Sequence, residues 1–88
     1  MKFVQFLRPD GRQRDVFVDR SEEIERKAAE LVAGGCRFEI EELRTGKINM
    51  DCTLNGEVLG GGLCDNGPSV LETVDRLVTK SYDAFKKV

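Results

Sequence analysis

The residues of this chain that could do chemistry are its cysteines, a set of close carboxylates and a glycine-rich run. Cys36, Cys52 and Cys64 are the only thiols, and the chain has no histidine. Without histidine, nucleophile systems of the Ser-His and Cys-His kind are excluded. Three cysteines with 15 and 11 residues between them make a poor metal-ligand set. Cys64 stands shortly before a helical pattern whose N-terminus would favour a thiolate, but Asp65 beside it works in the opposite direction. No second cysteine lies at C-x-x-C spacing from it, and no arginine follows until Arg76. The expectation is a non-enzymatic protein with no catalytic residue, cofactor or metal. Thiol chemistry at Cys64 is the lesser alternative.

The glycine run, "NGEVLGGGLCDNGPS" from Asn55 to Ser69, holds five of the nine glycines. It contains no G-x-x-x-x-G-K-[ST], and no lysine follows to reach a phosphate. A glycine-softened strand leading into a helix explains it better, because glycine within a strand marks a bulge or a close backbone approach.

The elements that must position these residues follow from periodicity. "KFVQFLR" and "RQRDVFVD" flank "PDG" and read as a first hairpin, with Val4 opposite Val16 and Phe3 opposite Phe17. Asp19 or Ser21 can cap a helix whose apolar stripe is Ile24, Ala28, Leu31 and Val32, ended by Gly34-Gly35. Cys36, Phe38 and Ile40, then Ile48, Met50, Cys52 and Leu54, alternate with polar residues as half-buried strands do. A two-residue turn at Thr45-Gly46 would set Glu39 and Glu41 into the core, whereas a three-residue turn, Arg44-Thr45-Gly46, sets Phe38 and Ile40 there. The longer turn is therefore expected. Asn55-Gly56 predicts a type I′ turn, which in unbroken register pairs Cys52 with Leu59, Met50 with Gly61 and Ile48 with Leu63. A last helix begins at Pro68 or with a capping box at Ser69–Glu72, and buries Val70, Val74, Leu77, Val78, Ser81 and Phe85.

The expected fold is a single α+β domain over 1–88, a two-layer sandwich of order ββαβββα. Its sheet has five largely antiparallel strands, with both helices on one face. The place of the first hairpin in the strand order stays open: its second strand could lie parallel beside the third, or the hairpin could flank the fifth.

That register brings the carboxylates together. Glu39 faces Asp51 and Glu41 faces Asn49 on the outer face, with Gly60 and Gly62 expected beside them. Like charges directly opposed cost stability, so the arrangement is either a solvated face, with Arg37 and Lys47 diluting the repulsion, or a surface for a basic partner or a divalent cation. Glu39, Glu41, Asn49, Asp51, Gly60 and Gly62 are the expected partner-binding residues. The first hairpin places apolar residues on both of its faces, so Phe3 and Phe17 are expected to mediate self-association, as in a homodimer.

From residue 20 onward the order α-β-β-β-α resembles the double-stranded RNA-binding domain. That resemblance implies RNA binding through a basic cluster at the start of the last helix. The corresponding stretch here, Pro68-Ser69-Val70-Leu71-Glu72-Thr73, has no lysine or arginine. An RNA reading would rest on Arg37, Arg44 and Lys47, with Arg12 and Arg14 assisting.

Composition bounds the rest. Fourteen basic against sixteen acidic residues give a net charge of −2, which argues against unselective nucleic-acid binding. No apolar run is long enough to span a membrane, and the first residues do not form a secretory signal. Unevenly spaced cysteines suit a reducing compartment, so the cytoplasm is expected. The leading reading is a small interaction domain that binds a protein partner of unknown identity.

Overall fold

A computed structural model describes residues 2–18 and 22–87, apart from the side chains of Lys2, Phe17 and Val18. The proposed caps Asp19 and Ser21 lie outside the described residues. The elements are β1 (Lys2–Leu7), β2 (Gln13–Val18), α1 (Glu22–Ala33), β3 (Arg37–Glu42), β4 (Lys47–Leu54), β5 (Glu57–Asp65) and α2 (Ser69–Lys86). They form a five-stranded mixed sheet in the order β2-β1-β3-β4-β5. β1, not β2, lies parallel to β3, and they share one ladder pair, Leu7 with Glu39. The other neighbours are antiparallel.

Turn chemistry sets most of this register. Pro9-Asp10-Gly11 and Arg44-Thr45-Gly46 are both three-residue loops closed by a left-handed glycine, with φ of 88° at Gly11 and 87° at Gly46. In each, the amide before the loop donates to the carbonyl after it: Arg8 to Arg12 and Leu43 to Lys47, both at 2.8 Å. Phe38 therefore faces Cys52, and Ile40 faces Met50. Asn55 and Gly56 both have positive φ, as a type I′ turn requires.

One register differs from expectation. Leu54 pairs with Glu57 and Thr53 with Val58, but Cys52 then pairs with Gly60, leaving Leu59 as the extra residue of a β-bulge. Every later residue of β5 changes face. Gly60, Gly62 and Cys64 turn to the helices, while Gly61 and Leu63 turn outward. α2 is the physical reason. A Cβ on Gly60 would stand 2.6 Å from the Ser81 hydroxyl, and one on Gly62 would stand 2.7 Å from the Thr73 methyl. The bulge delivers two residues without side chains to the line where the helix lies on the strand, and Leu59 still packs against the core.

Both helices cover the face that carries Val4, Phe6, Val16, Phe38, Ile40, Ile48, Met50 and Cys52. α1 ends in a Schellman motif: Cys36 N–H donates to Leu31 C=O at 2.9 Å and Gly35 N–H to Val32 C=O at 3.0 Å, with φ of 95° at Gly35. Val32 departs from the expected inner stripe and is 57% exposed. In α2 the capping box does not form. Pro68 already has helical φ and ψ, and the Ser69 hydroxyl donates back to the Asp65 carbonyl at 2.9 Å. The helices are tied by Glu30, which accepts from the Tyr82 hydroxyl at 3.1 Å and pairs with Lys86 at 3.4 Å and Arg26 at 2.7 Å.

Candidate functional site

Among the described residues, no helix or loop covers the outer face of the sheet. Strand alternation sends Phe3, Gln5 and Leu7 of β1 there, with Arg37, Glu39 and Glu41 of β3 and Asn49, Asp51 and Thr53 of β4. From β5 come Val58, Gly61 and Leu63. Of the six expected partner-binding residues, Glu39, Glu41, Asn49 and Asp51 stand together here, around a shallow depression of about 170 Å³ that Leu7 and Pro9 close on one side. Gly60 and Gly62 do not. The bulge places them under α2, and Gly61 takes their position.

Gly61 shapes the centre of the patch. A Cβ built on it would stand 2.5 Å from Asp51 Oδ1, so the aspartate lies across bare backbone. Asp51 Oδ2 accepts a long hydrogen bond from the Asn49 amide at 3.4 Å, and Glu39 Oε1 accepts from the Thr53 hydroxyl at 3.1 Å. Partial burial and then the neighbouring Glu39 charge push the Asp51 carboxyl above the usual aspartate range, and Asn49 offsets part of this. This face therefore presents carboxylates held together against their mutual repulsion.

Phe3 lies on the same face and is 44% exposed. The backbone of Phe17 pairs opposite it, while the Phe17 side chain lies outside the described residues.

The thiols lie elsewhere. All three are free and buried. Burial raises Cys36 and pushes Cys52 up to about 11. Cys64 turns inward with the bulged half of β5. Among the described residues no group of three or more metal-ligating side chains gathers, and no helix is long and apolar enough to cross a membrane.

Of the basic residues named for RNA, Arg12, Arg14, Arg44 and Lys47 lie at the turn end of the sheet and Arg37 at the other, and three of the four at the turn end stand beside acidic side chains. Arg12 stands 3.8 Å from Asp10, and Lys47 pairs with Asp65 at 2.8 Å. Arg14 bridges Glu42 at 3.1 Å and Asn66 at 3.2 Å.

Two features escaped the sequence reading. Arg8 and Arg14 both bind Glu42 at the turn end of the helix-side face, and Arg8 also donates to the Gln13 carbonyl at 3.0 Å. The expected register, Val4 opposite Val16, carries on to Phe6 opposite Arg14 and so puts Arg14 on that face, as the parity of Phe38 and Ile40 does for Glu42. The second feature is a cleft of about 640 Å³ among β1, β3 and α1, bordered by Phe3, Ala29, Val32 and Phe38. It lies along the boundary between β1 and β3, where pairing is minimal, and no periodicity announces it.

Comparison of the chain with family models, with curated proteins and with solved structures finds no match in any of the three.

Proposed function

We propose that this protein is a non-catalytic interaction domain whose open sheet face binds a basic surface of a partner protein. The observation that carries the reading is Asp51 held opposite Glu39 on an uncovered face, at a cost a purely structural sheet would avoid. Glu41 and Asn49 extend the patch, and Gly61 keeps its floor low. Free thiols at Cys36, Cys52 and Cys64 suit a reducing compartment such as the cytoplasm. The test is affinity capture with wild type and with a Glu39→Lys, Asp51→Lys variant shown to fold by its thermal melt. Loss of the captured partner in the variant supports the reading, and unchanged capture refutes it.

Self-association is the second reading, favoured by the 44% exposure of Phe3 on the same face. Light scattering at physiological salt tests it: a dimer that Phe3→Ser dissociates supports it, and a monomer at all concentrations excludes it.

A further inference from the structure

The free edge of β5 carries a second surface, independent of the acidic face. β4 pairs with one side of β5, and among the described residues no strand adds to the other. On such an edge, alternate residues point their backbone N–H and C=O groups outward, open to another chain. Proteins usually defend such edges with lysine, proline or short length. β5 runs for nine residues and contains neither lysine nor proline. Its bulge disturbs only the beginning, and the ladder is regular from Gly60 to Asp65.

α2 overhangs this edge. Gly60 and Gly62 let the helix settle close, and its flank holds Arg76 and Lys80 beside Gly61, Gly62 and Leu63 around a groove of about 190 Å³. Both cations are exposed, and neither has an ion-pair partner among the described residues. Glu72 and Asp83 lie at helical spacing from them, yet neither forms an ion pair with them. Two exposed cations without an ion-pair partner among the described residues thus flank an open strand edge.

The spacing fits a particular occupant. Helix residues four apart are separated by about 6 Å along the axis, and strand residues two apart by about 6.7 Å. A strand added along β5 would turn alternate side chains toward Arg76 and Lys80. Its intervening side chains would turn toward the outer face, where Val58 and Leu63 are 62% and 60% exposed. We propose that this groove binds an extended peptide that adds to β5 as a further strand and carries two carboxylates two positions apart with an apolar residue between them. Backbone hydrogen bonds supply the docking, and the cations and exposed apolar side chains select the sequence. A second copy of this chain fits less well, because pairing β5 with itself about a two-fold at Gly61 opposes Glu57 to Asp65.

The experiment is fluorescence anisotropy with three labelled probes: a short alternating valine–glutamate peptide, its valine–lysine counterpart, and the glutamate peptide methylated on alternate backbone nitrogens. The glutamate peptide is expected to bind saturably below about 1 mM and to slow amide exchange at Gly61–Leu63, while the other two bind far more weakly. Arg76→Glu with Lys80→Glu should weaken the glutamate peptide at least about tenfold and turn the preference toward lysine. The outer-face variant Glu39→Lys, Asp51→Lys should bind it as wild type does, which separates this proposal from the acidic-face reading. Absence of binding by the glutamate peptide overturns the proposal, as does binding indifferent to both charge reversal and methylation. A dimer that the Arg76→Glu, Lys80→Glu variant abolishes also overturns it, assigning the edge to a second copy.

Discussion

Asp51 concentrates the chemistry of the sheet at one side chain. A carboxyl whose pKa rises on folding holds its proton in the native state when the unfolded chain has already released it. Stability therefore falls as pH rises from the ordinary aspartate value of 3.8 through the raised native value, and the deficit persists above it. Asp51→Asn is accordingly expected to stabilise the protein at neutral pH by about 0.2–1 kcal/mol, the scale of an opposed like-charge pair. Urea titrations at neutral and acid pH check this, and the gain should disappear in acid. Glu39→Gln should lower the Asp51 pKa, as a carboxyl NMR titration would read directly. Ser81 offers a second single-residue test, since its hydroxyl is fully buried with no hydrogen-bond partner among the described residues. Ser81→Ala should therefore be neutral or stabilising by about 1 kcal/mol in chemical denaturation. The thiols make a third. Buried, with Cys52 pushed up to about 11, they should react slowly with a disulfide reagent in the native protein and quickly in urea.

At the scale of elements, the seam between β5 and α2 depends on what its glycines lack. Gly60→Ala sets a methyl 2.6 Å from Ser81 Oγ and should cost about 1–3 kcal/mol. In Gly60→Ala with Ser81→Ala the obstructing oxygen is gone, so a double-mutant cycle should show a favourable coupling. The same seam marks where the sequence stopped being legible. Turns were readable because glycine and Asn-Gly specify backbone angles locally, and with them came the registers of β1 with β2 and β3 with β4. Glu39 opposite Asp51 was therefore found correctly. The bulge was not, because nothing within "EVLGGGLCD" says which of three adjacent glycines the helix that follows will need. Alternation favoured Leu59, Gly61 and Leu63 inside. Packing against Thr73, Leu77 and Ser81 selected Gly60, Gly62 and Cys64 instead. The three-glycine run thus supplies both surfaces at once, two glycines to the helix and one to the acidic face.

For the whole molecule, Glu42 is the point where distant parts of the chain meet. Its hydrogen bond to Arg8 holds its carboxyl below the usual glutamate range, with Arg14 adding to the effect and partial burial opposing it. A lowered native pKa contributes stability that is present above the unfolded value near 4.5 and is lost as pH falls through the native one. Glu42→Gln should thus cost about 0.5–1 kcal/mol at neutral pH, discounted for its exposure, and match wild type in acid. That ionic clasp matters because, among the described residues, the sheet is joined across its middle by the single ladder pair Leu7 with Glu39. The β1–β2 hairpin is therefore hinged to the rest by side chains more than by a backbone ladder. Such a boundary divides a small domain into cooperative units of unequal strength. Under native conditions the amides of β1 and β2 should exchange through a subglobal opening well below the free energy of complete unfolding, while β3, β4 and β5 exchange only near that limit. The hairpin would then be the first part of the molecule to come loose, and the one a neighbouring copy could exchange.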